Sequence, residues 1–316
     1  MTGLQSAASS TAPDGAVRVR VPATSANLGP AFDCAGLALA RHDVLEFAVA
    51  PSGLAVEVSG VGAGELPTDE SHLVVRAFRA ACAELGWTPP GLRVTARNAI
   101  PQGRGMGSSA AAVVAGVVAA WALCPDVPSV DLDAVLRLTT ELEGHPDNVA
   151  PCLLGGATLS WMAADGARAE RLVVHPDVRP VVLVPETTLS THVARGLLPG
   201  LVPHADAAYN AARAALLTHA LTAAPERLLD ATDDRLHQRQ RGGAMPGSIA
   251  LMDALRAAGH AAVVSGAGPS LLVLNLNARA VDRVAELAGP GWSVQALDVD
   301  PDGARVLNGN SQVSSR

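Results

Sequence analysis

The chain has 316 residues, 49% of them hydrophobic and only 3% aromatic, and its 23 basic residues face 30 acidic ones for a net charge of −7. That length suggests about two domains with sizeable cores, while the acidic balance and scarce aromatics argue against nucleic acid as a partner. There is no lysine, so every basic residue is arginine, and the four cysteines form neither a CxxC nor a His/Cys cluster, which speaks against structural zinc and for a reduced, cytoplasmic setting.

Residues 1–16 (MTGLQSAASSTAPDGA) are small and polar, without the basic start and apolar stretch of a signal peptide, and read as a disordered leader. A strand is expected at 17–22, followed by the Gly/Pro-punctuated turn ATSANLGPAFDCAGLAL, and then a pair of strands at 44–50 and 54–59 split by PSG. Residues 71–85 carry helical spacing with Ser71 as N-cap, and 92–99 alternate as a strand. That strand leads into a glycine loop and a helix over 108–123, whose apolar run is too short to span a bilayer. A helix at 131–143, capped by Asp131, runs into GHPDNVAP, and 153–162 reads as a strand. The shift in composition at 163–170 marks a crossing between an N-terminal domain (17–165) and a C-terminal domain (166–308). In the second domain strands are expected at 180–184, 261–264 and 292–297. Helices are expected near 206–224, 225–238, 248–258 and 278–288, before a flexible tail at 309–316. Strands and helices mixed in this way imply an α+β fold.

The stretch IPQGRGMGSSAAA (100–112) places glycines and two serines at the mouth of an apolar helix. Such an end presents unpaired amides and the positive pole of the helix dipole to an oxyanion, and glycine lets a polyphosphate approach the main chain. A Walker loop needs GK[ST], which a chain without lysine does not have; Arg104 is the basic residue at hand. A capped glycine turn would account for the loop without any ligand. The cluster TTELEGHPDNVAP (139–151) gathers Glu141, Glu143, His145, Asp147 and Asn148 around a helix end, suited to Mg²⁺ beside phosphate or, taken singly, to a solvated helix terminus. Asn27 and Asp33 flank a Gly-Pro turn, and a carboxylate between Phe32 and Cys34 needs a partner such as an ammonium group. SGAGPS (265–270) fits a ligand-closing turn and equally an ordinary hairpin. Arg195 and Arg241 each precede a Gly- and Pro-containing turn and offer forks suited to a small carboxylate.

The four segments VPATSANLGPAFD, IPQGRGMGSSAAA, EGHPDNVAP and SGAGPS, in this order from residue 21 to 270, together resemble the superfamily of galactose, homoserine, mevalonate and phosphomevalonate kinases. The Asn-bearing GHPDN and PATSANLGP are most similar to the homoserine kinases within it. The resemblance implies ATP-dependent phosphorylation of the side-chain hydroxyl of L-homoserine to O-phospho-L-homoserine, on the way to threonine. It also implies a two-domain small-molecule kinase fold, with an N-terminal domain like ribosomal protein S5 domain 2, a ferredoxin-like C-terminal domain and a homodimer. ATP would lie along Pro101, Gln102, Gly103, Arg104, Gly105, Met106, Gly107, Ser108, Ser109, Ala110 and Ala111, with Ser109 and Glu143 on Mg²⁺ and Glu141 as the nearby alternative. Homoserine would meet Asn27, Asp33, His145, Asn148 and Gly266, with Asp33 facing its amino group and Arg195 and Arg241 its carboxylate. Asn148, Asn27 and His145 would be the catalytic set. Asparagine is no base, so positioning and charge neutralisation would dominate, and Asp147 and His145 rank behind that mechanism as bases. Two departures from the pattern stand out: Met106 replaces a usual leucine, and Ala31 a common glycine.

Overall fold

The computed structural model describes residues 15–275 and 280–307. Most of the expected leader and the whole tail at 309–316 lie outside the described residues, as do the first residues of the helix expected at 278–288; Ala16, assigned to the leader, already belongs to the first strand. In chain order the first half contains β1 (Ala16–Ala26), β2 (Ala35–Ala50), β3 (Gly53–Gly60), α1 (Leu73–Glu84), β4 (Gly91–Asn98), α2 (Ser108–Leu123), α3 (Leu132–Glu143), α4 (Pro146–Leu154), β5 (Ala157–Ala163) and β6 (Gly166–Leu172). The second half contains β7 (Arg179–Pro185), α5 (Thr191–Gly196), α6 (His204–Thr222), α7 (Leu228–Ala231), α8 (Pro246–Ala257), β8 (Ala261–Val264), β9 (Leu271–Asn275), α9 (Ala280–Ala288), β10 (Trp292–Ala296) and β11 (Arg305–Leu307).

The first sheet runs β11-β1-β2-β4-β3, with β5 added to the start of β2 and β6 to β5. The strands expected as a hairpin, β2 and β3, are not partners: β4 lies between them, and β3 pairs with β4 in parallel. A parallel neighbour requires a crossover, which α1 provides. α1 is capped by His72, whose ring accepts the Val74 amide, rather than by Ser71. The segment 163–170 is not a crossing but the tip of the β5–β6 hairpin, where Ala163 pairs with Gly166. The chain leaves this sheet only after Leu172 and later returns to its edge through β11, on β1.

The second sheet is antiparallel with order β10-β7-β9-β8, and helices fall between β7 and β8 and between β9 and β10. This is the βαββαβ arrangement of a ferredoxin-like unit. β7, β8 and β9 are apolar on both faces, so VVLV, AAVV and LLVL read as continuous runs. Val182, Val263 and Leu272 join the large core around α2, whereas Val181, Leu183 and Val264 pack with Leu251 and Leu255 of α8. α2, small and aliphatic residues apart from Trp121, is buried along most of its length, as expected of a helix without a polar face. The helix expected at 225–238 is a 3-10 turn followed by the four-residue α7, because the Asp234 carboxylate takes the amides of Leu236, His237 and Gln238 and offers the backbone an alternative to helix. Among the described residues, no helix is long and apolar enough to cross a membrane.

Candidate active site

Where β4 ends, the buried Asp43 carboxylate accepts the amides of Ala99 (2.6 Å) and Ile100 (2.9 Å) and fixes the exit of the chain into the glycine loop. Gly105 and Gly107 have φ of 69° and 68°, the region that favours glycine. A Cβ on Gly105 would run into the Ser265 carbonyl, and one on Gly107 into Thr24 Oγ1. The loop is held from both halves of the chain. The Thr24 amide donates to the Met106 carbonyl (3.0 Å), Ser265 Oγ to that of Gly105 (2.6 Å), and the Leu189 amide to that of Gly103 (2.9 Å). Gly107, the N-cap of α2, has no side chain to occupy the first-turn amides, so the helix opens as an anion cradle at its positive end.

Beside this opening, Ser109 Oγ donates to Glu143 Oε1 at 2.5 Å. Glu143 closes α3 and lines the cavity; burial raises its pKa, while the Ser109 hydroxyl and His145 hold it down. Glu141 is exposed and does not line the cavity. The chain turns at Gly144 and re-enters a helix at Pro146, the favoured first position for proline. The first turn of α4 carries Asp147 and Asn148. Burial pushes Asp147 up to about 6; Asp33 and Glu143 add to the rise, and His145 and Arg195 oppose it. Asn148 Oδ1 accepts from Thr24 Oγ1 at 2.7 Å, and its Nδ2 faces Asp147 Oδ1 at 3.4 Å.

The opposite wall is built from the turn after β1. Asn27, with φ of 71°, donates to the Gly266 carbonyl (3.0 Å) and accepts the Asp33 amide (2.9 Å). Arg195, on α5, forms a two-pronged pair with Asp33 at 2.6 and 3.1 Å. Arg241 is 1% exposed and donates to the Gly266 carbonyl at 3.1 Å; burial, and next the Arg195 charge, lower its pKa. Both guanidinium groups stand over Phe32, 5.5 and 5.3 Å from the ring centre, and the His237 ring lies 5.0 Å from it.

One cavity of about 420 Å³ joins these walls. It is lined by Pro101, Gln102, Gly103, Gly105, Met106, Gly107, Ser108, Ser109 and Glu143, together with Asn27, His145, Asn148, Arg195, Arg241 and Gly266. Leu45, Leu66, Pro67, Leu73 and Val74 line it as well, together with Asp43, Ser71, His72 and Asn98. Three loop residues expected on ATP do not line it. The Arg104 guanidinium is engaged by the carbonyls of Gln102, Pro185 and Glu186, and Ala110 and Ala111 are buried inside α2. Asp33 does not line it; its carboxylate is paired with Arg195 and its amide with Asn27, both of which do. Thr24, Asp43, Phe32, His237 and Ser265 were not singled out as site residues. Thr24, Phe32 and Ser265 lie inside the quoted motifs, but only their partners across the fold give them a role.

Comparison with known proteins bears on this geometry. Residues 72–156 match the family model described as the GHMP kinases N terminal domain. The chain is 55% identical to the homoserine kinase of Streptomyces avermitilis over 293 residues, covering 92% of this chain and 96% of that one, and 52% identical to the homoserine kinase of Clavibacter michiganensis, covering 92% and 93%. Its fold superposes on the crystal structure of homoserine kinase from Cytophaga hutchinsonii with a TM-score of 0.83 at 25% identity, covering 94% of this chain and 98% of that one.

Proposed function

The chain belongs to the homoserine kinase family, and from that premise we propose how its residues move the γ-phosphoryl group of ATP to the side-chain hydroxyl of L-homoserine. The observation that carries the reading is that one cavity is lined at once by the glycine loop, Glu143, Asn148 and Arg195. In phosphoryl transfer the transition state is loose and its charge spread over the phosphoryl oxygens, so donors fixed in advance and in-line placement supply most of the acceleration. The triphosphate lies on the open amides of α2 and the Ser108 and Ser109 hydroxyls, and the base lies against apolar lining residues such as Leu45, Leu66, Leu73 and Val74. Ser109 and Glu143 offer one hydroxyl and one carboxylate in mutual contact, a set that would hold Mg²⁺ together with phosphate and water. Bound there, the ion would neutralise charge on the phosphate oxygens.

Homoserine is a zwitterion, and its two charges can take over the partners that Arg195 and Asp33 provide for each other in the unliganded chain. Its carboxylate goes to Arg195 and Arg241 and its ammonium to Asp33, while Asn148 and His145 direct the hydroxyl toward phosphorus. The proton then leaves to a phosphate oxygen or water. A second reading is favoured by one observation: the buried Asp147 carboxylate, pushed up to about 6, lies on the cavity wall beside Asn148, where it could accept that proton. A cytoplasmic setting fits four cysteines that are all unpaired. A homodimer rests on the resemblance alone and predicts about twice 32.0 kDa in sedimentation.

The test is ADP release with homoserine, threonine, serine, mevalonate and galactose as acceptors. Homoserine should exceed mevalonate and galactose at least about 100-fold in kcat/KM, since charged groups left without partners discriminate strongly. It should also exceed serine and threonine, because their hydroxyl sits one carbon closer to the charged groups and falls short of the phosphorus. A preference for mevalonate or galactose, or nucleotide binding without turnover, would reject the reading.

A further inference from the structure

Thr24 belongs to no wall of the cavity, yet it touches both the phosphate loop and the residue proposed to hold the acceptor. It is fully buried at the end of β1. Its amide donates to the Met106 carbonyl in the loop, its Oγ1 occupies the space a side chain at Gly107 would need, and that same Oγ1 donates to Asn148 Oδ1 at 2.7 Å.

The other end of the Asn148 amide decides what this bond means. Its neighbour there is Asp147 Oδ1 at 3.4 Å. An ionised carboxylate only accepts hydrogen bonds, so the NH₂ end of the amide must face Asp147, and the oxygen end must face Thr24. A hydroxyl can donate or accept; against a carbonyl oxygen it donates. The amide is thereby fixed in one of its two orientations, with the oxygen turned away and buried against Thr24. An Asn148 fixed this way presents N–H to what enters the cavity. It donates to a lone pair of the acceptor hydroxyl and leaves the hydroxyl hydrogen free to point elsewhere.

We propose that Thr24 is a positioning residue for phosphoryl transfer, its hydroxyl locking the Asn148 side-chain amide as a donor toward the acceptor hydroxyl and tying that amide to the phosphate loop. The inference rests on the acceptor-holding role proposed for Asn148. Without the Thr24 bond the amide is held only by the long 3.4 Å contact of its NH₂ end with Asp147, and it can swing away from the position in which its N–H meets the substrate. Thr24 touches neither substrate, so its loss should appear in kcat rather than in binding.

The experiment is a double-mutant cycle in steady-state kinetics with ATP and homoserine, using Thr24→Val, which keeps the shape and removes the hydroxyl, and Asn148→Ala. Thr24→Val should lower kcat about 10- to 100-fold, with both KM values within about threefold, because small misplacements of a reacting group act on this scale. In the Asn148→Ala background, Thr24→Val should add less than about twofold, since its effect passes through that amide. Thr24→Ser, which keeps the hydroxyl, should stay within about threefold of the parent kcat, and it decides the matter if Thr24→Val fails to fold. Additive losses in the double variant, an unchanged kcat in Thr24→Val, or a loss in Thr24→Ser of about 10-fold or more would overturn the role of Thr24. If Asn148→Ala alone keeps full kcat, the role of Asn148 itself is what fails.

Discussion

Asp147 joins three properties that work against stability: it is a carboxylate, it is buried, and it has other carboxylates near it. In the folded chain its pKa stands at about 6 instead of the ordinary value near 3.8. Between those values the folded chain keeps a proton that the unfolded chain has released. Stability therefore falls as pH rises through the window from about 4 to about 6, by up to about 3 kcal/mol, and stays reduced above it. Asp147→Asn should accordingly melt higher than the parent at pH 7.5, with the gap closing below about pH 4, as seen by thermal unfolding across pH. The same variant separates the two mechanisms. A fall in kcat of about 10-fold or less fits positioning, and one of about 100-fold or more fits a general base. Arg195 makes a second residue-scale prediction. Lysine keeps the charge but loses the fork, so Arg195→Lys should raise the homoserine KM about 10-fold, the equivalent of a charge-assisted bond, with kcat within about threefold; a loss confined to kcat would contradict the carboxylate assignment. The residue types of this site are legible in the sequence, because GHPDN and the glycine loop concentrate hydrogen-bonding groups where apolar runs begin. The pairing of Asp33 with Arg195, 162 positions apart, is not. Periodicity and spacing report only local neighbours, so the guanidinium that meets the Asp33 carboxylate in the folded chain is not readable from them.

Elements were legible where local chemistry and final packing agree. α2 follows its sequence because small apolar residues serve a helix buried along most of its length, and α3 because Asp131 caps it and Gly144 ends it. α4 escaped because proline at its first turn and again at Pro151 signals a break in sequence, although the first of these positions leaves no hydrogen bond to lose. β2 and β3 look like a hairpin around PSG, and only the crossover through α1 reveals that β4 comes between them. At this scale the glycine loop makes the sharpest prediction. A Cβ at Gly103, with φ of 62°, would find Thr188 at an ordinary 3.5 Å, so Gly103→Ala carries backbone strain alone, about 1–2 kcal/mol. Gly107→Ala adds a collision with Thr24 and should lose about 2–5 kcal/mol. Denaturant midpoints for the two variants check the order, and equal losses would mean the loop moves freely against β1.

Across the whole molecule the cavity exists only because two sheets share a core. The glycine loop, Glu143 and Asn148 come from the first half, while Arg195, Arg241 and Gly266 come from segments flanking the second sheet. Ser265 and Leu189 bind the loop across that junction. The phosphate site proposed at the mouth of α2 needs no lysine, since backbone amides held rigidly at a helix mouth do not depend on a flexible cation, and the loop's own arginine, Arg104, is already engaged by carbonyls. The most direct test is a crystal structure with Mg²⁺, a non-hydrolysable ATP analogue and homoserine. The β- and γ-phosphates should lie within hydrogen-bond distance of the amides between Gly105 and Ser109, with Glu143 beside the metal and Arg104 still on its carbonyls. A triphosphate lying outside the mouth of α2, or held chiefly by arginine side chains, would contradict the account.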